Sequence, residues 1–133
     1  MATILKKMRA RWTAEPTAGA AITPGHLVEY SGVSIVQAHS TAAGVINGKF
    51  VALEDQAQGR GIDDAYASGD PVVVQAMLPG EQVQMIASAA VVANAFVESA
   101  GDGRVRTLTT TNPVGRALNA AASAGDRITV EIV

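Results

Sequence analysis

The sequence contains no cysteine, which excludes disulfide bridges, thiolate metal sites and a cysteine nucleophile. Only two histidines are present, so an all-protein zinc site would depend on carboxylates. Aromatic side chains are scarce, with one Trp, two Tyr and two Phe among 133 residues. There is no apolar run near the roughly 18 residues of a membrane span, and no secretory-signal pattern. These absences favour a soluble, non-exported protein without a membrane partner.

Small apolar residues dominate what remains. The chain has 25 Ala and 16 Val, and apolar residues make up 48% of it. Burial contributes about 25 cal/mol per Å² of apolar surface, so small side chains add little stabilisation each. The length corresponds to one domain. We therefore expect a single small domain that completes its core against a partner subunit.

Charge is divided unevenly along the chain. Residues 1–14 contain four bases and no acid, whereas the remainder contains six bases and twelve acids. A basic arm on an acidic body is not typical of a nucleic-acid-binding domain, and we expect no nucleic-acid partner. The pattern divides the chain into a basic N-terminal arm and linker over residues 1–21 and a β-rich body over residues 22–133.

The arm combines its positive charge with an apolar stripe. In a helix or in an extended segment, Ile4, Met8 and Trp12 lie on one side of the arm. This pattern fits a solubilising terminus, or a segment that docks on an acidic neighbouring surface with Trp12 as anchor. Attachment to a membrane surface is a third interpretation, although one short helix binds lipid only marginally.

The body has turn signals at short, regular intervals, with runs of Val, Ile and Thr between them. Such a pattern predicts an all-β fold, a small β-barrel or sandwich. In the strand over 127–133, residues 128, 130 and 132 are expected on one face. The predicted strands are His26–Tyr30, Ser34–Ala38, Lys49–Leu53, Val72–Leu78, Gln82–Ala87, Arg104–Thr109, Val114–Leu118 and Arg127–Val133.

Some segments allow more specific expectations. Pro79 and Gly80 fit the central positions of a type II turn. Gly-Asp precedes a β-prone run at residues 69, 101 and 125; this echo is too short and irregular for a tandem repeat, and we interpret it as three similar turns. The Ala-rich segments 87–95 and 115–124 have helical propensity, so the fold class also allows one short helix.

No arrangement of residues indicates catalysis. The chain has no nucleophile elbow, His-Glu-x-x-His motif or phosphate-binding loop around His26, His39 or any serine. Asp63 and Asp64 are the best carboxylate pair, and we interpret them as part of a solvated acidic loop. The sequence therefore predicts a protein that is not an enzyme, with no catalytic residue, cofactor or metal site.

The second half of the chain resembles the head-decoration, or capsid-cement, proteins of tailed bacteriophages. The resemblance covers roughly residues 65–133 and lies in the order and spacing of Gly-Asp turns and alternating strands. The segments that carry it are Gly69–Val83, Val97–Val105, Val114–Leu118 and Gly125–Val133. The arm has no counterpart in this resemblance.

This resemblance implies a non-enzymatic virion protein that stabilises an icosahedral head. Such proteins sit on the outer surface of the capsid, commonly as homotrimers, and contact the major capsid protein. Combined with the charge of the arm, it leads us to expect that the arm reaches neighbouring capsid subunits. The candidate capsid contacts are Ile4, Lys6, Lys7, Met8, Arg9, Arg11 and Trp12.

Two other classes remain as alternatives. A lipoyl or biotinyl carrier domain is also small and β-rich, and Lys49 is the only lysine of the body, but it lacks the flanking residues typical of that family. A trimeric β enzyme or a carbohydrate-binding module is the other class. A sugar platform usually needs exposed aromatic residues, of which this chain has few.

Overall fold

The computed structural model describes residues 13–43 and 48–133, and these residues form β-strands and turns. The strands are β1 Thr13–Ala14, β2 Thr17–Ala18, β3 Leu27–Gly32, β4 Ile35–Ala38, β5 Phe50–Ala52, β6 Val74–Ala76, β7 Gln82–Ile86, β8 Phe96–Ser99, β9 Val105–Thr107, β10 Gly115–Ala117 and β11 Arg127–Ile132. The only helical element among the described residues is a 3₁₀ turn at Gln56–Gln58. None of the described segments is a helix long and apolar enough to cross a membrane. The predicted all-β class is confirmed.

All eight predicted strands are present, most of them shorter than expected. In β11, residues 128, 130 and 132 are buried and residues 127, 129 and 131 are half-buried, as the alternation predicted. The sequence did not predict β1, β2 or β8. β1 and β2 lie in the segment expected as arm and linker, and they pair with β6 and β4 of the body.

The helix allowed by the Ala-rich segments does not form. Within residues 87–95, Ala87 bridges to Val105 and Val91 bridges to Ala121, which belongs to the other Ala-rich segment. These backbone groups are therefore hydrogen-bonded across the fold rather than along a helix. Pairing between distant segments outweighs the helical propensity of alanine, which is only a weak local preference.

The strands form two sheets with the same connectivity. The first has the order β1-β6-β5-β3-β4-β2, and the second has the order β7-β11-β10-β8-β9. If β1, β6, β5, β3 and β4 are matched in turn with β7, β11, β10, β8 and β9, every neighbour relation is conserved. The register is conserved too, because Glu29 pairs with Gln37 and Glu98 pairs with Arg106, each residue 69 positions later. Residues 13–132 thus contain an internal duplication, with a first repeat over residues 13–76 and a second over residues 82–132.

The bonds outside the strands follow the same duplication. Ile22 and Tyr66 exchange two backbone hydrogen bonds, as do their counterparts Val91 and Ala121. The parallel pairing of Ala18 with Val36 recurs as the bridge between Ala87 and Val105, again 69 positions later. The repeat is therefore longer than the Gly-Asp echo of the sequence. Only the turns at 69–70 and 125–126 are equivalent within it; the turn at 101–102 connects β8 to β9.

The three Gly-Asp turns themselves have the expected local structure. Gly69, Gly101 and Gly125 have φ values of +91°, +93° and +91°, a region that favours glycine. The carboxylates that follow accept nearby backbone N–H groups, as at Asp70 from Ala67 at 2.9 Å and at Asp102 from Arg104 at 3.1 Å. The turn at Pro79-Gly80 is also confirmed, with φ of +89° at Gly80 and a bond from the Glu81 N–H to the Leu78 carbonyl at 3.1 Å.

The first sheet has a core on each of its two faces. The inner face of the first sheet covers a smaller core that contains Val28, Ala52 and Tyr66. Its other face contributes Leu27 and Val51 to a larger core, which lies against the second sheet. Adjacent residues of β3 and of β5 are therefore both buried. Two sheets that share a core, one of them curled over a second core, fit the predicted all-β barrel or sandwich.

Gly115 provides a test of this close packing. A Cβ at this position would lie 2.4 Å from the Glu131 carbonyl oxygen and 2.5 Å from Val130 Cγ1. We expect Gly115→Ala to lower the free energy of unfolding by about 2 kcal/mol or more, because the neighbouring strand must shift. Gly61→Ala is the control, since the added methyl group has open space apart from Asp64 at 3.7 Å. Urea unfolding measures both variants, and equal stability of the two would contradict the packing described here.

Candidate interaction surface

The seven predicted capsid contacts lie in residues 1–12, outside the described residues, so their role stays a prediction. What the structure describes is the body, and there the joint between the two repeats is the most distinctive feature. At this joint the β8–β9 hairpin of the second repeat meets the β3–β4 hairpin of the first. The contact shows how one repeat recognises another.

Gly103 forms the centre of this joint. Its carbonyl accepts the Leu27 N–H at 2.8 Å, and its N–H donates to the His39 carbonyl at 3.1 Å. Its backbone is thus inserted between the beginning of β3 and the residue after β4. A Cβ on Gly103 would lie 2.9 Å from both Ala38 Cβ and His26 Cγ, so only glycine fits here. We call the site formed by residues 26, 27, 38 and 39 the first slot.

A serine, a histidine and a glutamate lie in a row beside the first slot. Ser99 Oγ is 3.4 Å from His39 Nδ1, and His39 Nε2 is 3.9 Å from Glu29 Oε2. The order resembles a catalytic triad, but Ser99 is 1% exposed and its Oγ also accepts the Gly101 N–H at 3.3 Å. A nucleophile must be accessible to its substrate. The row therefore links β3, β4 and β8 across the joint.

Glu98 is a carboxylate with no exposed surface and many donors. It accepts the Thr109 N–H at 2.9 Å, the Thr109 hydroxyl at 2.8 Å, the Thr110 hydroxyl at 2.9 Å and Arg106 Nε at 2.9 Å. Burial by itself would raise the pKa of Glu98, but these donors outweigh it and lower the pKa to about 2. The carboxylate fixes the segment after β9 against β8.

Glu29 has the same role in the first repeat. It accepts the Ser40 N–H at 2.8 Å, the Ser40 hydroxyl at 2.6 Å and Gln37 Nε2 at 3.1 Å. Burial opposes the change, but these bonds lower the pKa of Glu29 below its ordinary value. Glu29 and Glu98 are 69 positions apart, as are Ser40 and Thr109. The two carboxylates are thus equivalent structural elements of the repeat.

The other residues singled out from the sequence do not form a site. Asp63 Oδ1 lies 3.4 Å from Arg127 Nη2, whereas Asp64 Oδ2 accepts the Gly61 N–H at 2.6 Å. Residues 13–43 and 48–133 contain no group of three or more metal-binding side chains. Lys49 is half-buried and its ammonium donates to the Val133 carbonyl at 2.5 Å, which weighs against a carrier lysine.

Large exposed apolar side chains concentrate at two ends of the body. At the tip of the β3–β4 hairpin, Tyr30, Val33 and Ile35 are exposed, with Val33 at 94%. At the second repeat, Val92 and Phe96 are 75% and 46% exposed. Sequence reasoning missed both ends; an apolar residue inside the turn Gly32-Val33-Ser34 was the one available signal for the first.

Comparison with known proteins identifies the fold. No protein-family model and no curated protein matches the sequence. Among solved structures, the chain is similar to the head fiber gp8.5 N base in bacteriophage phi29, with a TM-score of 0.66 and 16% sequence identity. The similarity covers 92% of this chain and 94% of that chain. The body therefore has a fold that is found in a protein of a phage head.

The buried carboxylate of Glu98 leads to a first prediction for this site. Glu98→Gln should lower the free energy of unfolding by about 2 kcal/mol, because bonds to a charged acceptor are lost. Glu29→Gln is the matched control, and its effect should be smaller because Glu29 is partly exposed. In wild type, Glu98 contributes to the free energy of unfolding above pH 4.5, the ordinary pKa of a glutamate. This contribution should be lost as the pH falls from 4.5 towards about 2, the pKa of Glu98 in the folded protein.

Chemical denaturation of both variants at neutral and acidic pH measures this contribution. The difference between wild type and Glu98→Gln should shrink as the pH falls, since protonated Glu98 no longer contributes its ionic bonds. A difference that stays constant down to about pH 2 would contradict the assignment.

His26 leads to a second prediction, at the joint. Burial lowers the pKa of His26; Asp102 opposes this effect, and Arg104 and Arg127 add to it. Below the ordinary value of 6.5, the unfolded chain therefore binds a proton that the folded chain does not. The free energy of unfolding should fall as the pH falls below 6.5, and that of His26→Gln should fall less steeply. Equal slopes in urea titrations would show that His26 is not responsible.

Proposed function

We propose that this chain is a non-enzymatic structural protein of a phage virion that decorates the outside of the icosahedral head. The observation that supports this proposal best is the fold shared with the phi29 head fiber base over nearly the full length of both chains. The sequence resemblance to head-decoration proteins, which lies in residues 65–133, supports the same conclusion independently. In this proposal the major capsid protein is the partner, and the decorating unit is a homotrimer.

The physical basis of such a function is linkage. A protein that binds only the assembled shell stabilises that shell by RT ln(1 + [L]/Kd) for each occupied site. A trimer contacts several capsid subunits, and its second and third contacts form at a high effective concentration. An acidic body with a basic arm fits this arrangement, because the two parts can face different surfaces of the shell.

The structural likeness also favours a second candidate, in which the body is the base of a head fibre. The matched phi29 protein is described as such a base. Electron microscopy of native virions labelled with an antibody to the body distinguishes the two candidates. Isolated knobs at the labelled positions support decoration, and fibres that emerge from them support a base.

Removal of the arm tests how the body binds heads. The deletion should remove residues 1–12 only, because Thr13 and Ala14 form β1 and pair with β6. We expect the truncated protein to keep its fold and to bind expanded heads more weakly in co-sedimentation. Wild-type binding should weaken with salt, since exposed charges are screened over about 10 Å at 0.1 M.

Two variants separate the charged and apolar parts of the arm. Replacing Lys6, Lys7, Arg9 and Arg11 by Gln should remove the salt dependence, whereas Trp12→Ala should weaken binding and leave the dependence unchanged. Full occupancy of heads by the truncated protein would rule out the arm as the attachment segment. Failure of wild type to bind any form of the head would overturn the proposed function.

A further inference from the structure

The internal duplication leaves one copy of its own joint unused. The second repeat contains a counterpart of the first slot, formed by Ala95, Phe96, Thr107 and Leu108, each 69 positions after its equivalent; we call it the second slot. The Leu108 N–H donates to the Phe96 carbonyl at 2.9 Å, as the His39 N–H does to the Leu27 carbonyl at 2.8 Å. Within the described part of the chain, no backbone is inserted there as Gly103 is in the first slot.

The counterpart of the inserted hairpin is also unoccupied. The tip of the β3–β4 hairpin, residues 31–34, is equivalent to residues 100–103 and is exposed throughout. Ser34 takes the place of Gly103 and has φ of +56°, close to the +84° of Gly103. A serine in this region is strained, and like the inserted glycine it has a positive φ.

The tip and the second slot differ from the internal joint in complementary ways. In the first slot the His26 ring leaves no room for a Cβ opposite it. In the second slot Ala95 replaces His26, which removes the ring from this position. Thr107 replaces Ala38 and keeps a Cβ there, so Ser34 must sit farther from residue 107 than Gly103 does from Ala38. The Ser34 carbonyl already accepts the Thr17 N–H at 2.8 Å, but a carbonyl oxygen can accept a second bond.

Burial shows the same correspondence. Leu27 is fully buried where the second repeat packs on the first, whereas its counterpart Phe96 is 46% exposed. Ser99 is 1% exposed, whereas its counterpart Tyr30 at the free tip is 42% exposed. Five of the eight large exposed apolar residues among the described residues lie at these two ends: Tyr30, Val33, Ile35, Val92 and Phe96. Apolar surface gathered at both ends of a joint is typical of an interaction site.

We infer that copies of this chain associate head to tail, with the β3–β4 tip of one copy seated in the second slot of the next. The partner is a second copy of the same chain, because the recognised element is a counterpart of a hairpin that this chain already binds. Such a contact is heterologous, and it closes into a ring when the rotation between copies allows. The head-to-tail contact does not depend on the proposed function. Only the expectation that the ring contains three copies rests on it.

The contact is confined to the slot rather than the whole outer face of the second sheet. Arg116 stands where the first sheet has Val51, and its guanidinium lies 3.5 Å from Glu131. In the first repeat Tyr66 stands where the second repeat has Ala121, and its hydroxyl donates to the Leu53 carbonyl at 2.6 Å. The Tyr66 side chain thus fills the smaller core, which needs no cover from a neighbouring copy.

Engineered cysteines test the inference directly, since the native chain has none. In the internal joint, a Cβ on Gly103 lies 2.9 Å from Ala38 Cβ. The equivalent intermolecular pair is Ser34 and Thr107, which a disulfide can bridge if their Cβ atoms approach to about 4 Å. Ser34→Cys mixed with Thr107→Cys should give covalent dimers under mild oxidation, and neither variant alone should do so.

The matched control mixes Ser34→Cys with Ala57→Cys, because Ala57 is exposed and belongs to the 3₁₀ turn rather than to the slot. A yield of Ser34–Thr107 dimers no greater than this control would overturn the inference. The double variant Ser34→Cys/Thr107→Cys should give a covalent oligomer of the same mass as the native one. An open ladder of sizes would overturn ring closure, although the head-to-tail contact would stand.

A second measurement does not depend on disulfide geometry. Phe96→Ser should raise the dissociation constant for self-association by about tenfold or more, because an apolar contact at the centre of the slot is lost. Leu78→Ser is the control, since Leu78 is 52% exposed outside both ends, and it should change the constant by less than about twofold. Sedimentation equilibrium measures both, and equal effects or a wild-type monomer at all concentrations would overturn the inference.

Head binding is measured separately from self-association. If the engineered disulfide between Ser34→Cys and Thr107→Cys does not form while co-sedimentation with heads is unchanged, the head-to-tail contact is rejected and the proposed function stays intact. Self-association without binding to heads would reject the proposed function and leave the contact intact.

Discussion

The fold depends on how closely its backbones approach one another. A core of Ala and Val side chains gains little from each residue, so the strands must pack tightly to exclude water. Gly115 brings β10 so close to β11 that a methyl group would overlap the Glu131 carbonyl. Gly103 does the same at the joint, where the bulk of His26 and Ala38 leaves space for backbone only. These glycines are therefore part of the packing rather than of the turns alone.

The duplication explains why the first sheet is buried on both faces. Each repeat has a sheet with a core on one side, and stacking places the free face of the first sheet on the core of the second repeat. Leu27 and Val51 are buried by this stacking, whereas their counterparts Phe96 and Arg116 face outwards. Stacked repeats in general have two terminal surfaces that lack a neighbour. In this chain those surfaces are the hairpin tip and the second slot.

Local patterns in the sequence predicted most of the strands but not the duplication. Alternation identified β7 and β11, and Gly-Asp identified the turns, because both signals involve neighbouring residues. β8 was missed since it follows an Ala-rich segment whose helical propensity obscured it. Glu29 and its equivalent Glu98 are 69 positions apart. The offset between equivalent residues is not the same in the two halves of each repeat, so no single period is visible in the sequence. Burial of Glu98 and the exposure of Phe96 depend on tertiary packing, which no local pattern reports.

The differences between the repeats limit how far stacking can continue. If the second sheet had kept an apolar residue at 116, its outer face would offer an open surface for unlimited growth into filaments. The ion pair of Arg116 with Glu131 makes that face polar, and Tyr66 fills the first core from within. Among the described residues, five of the eight large exposed apolar side chains lie at the slot and the tip. A polar sheet face beside an apolar slot and tip fits the head-to-tail assembly proposed above, because contact is then confined to one site on each copy.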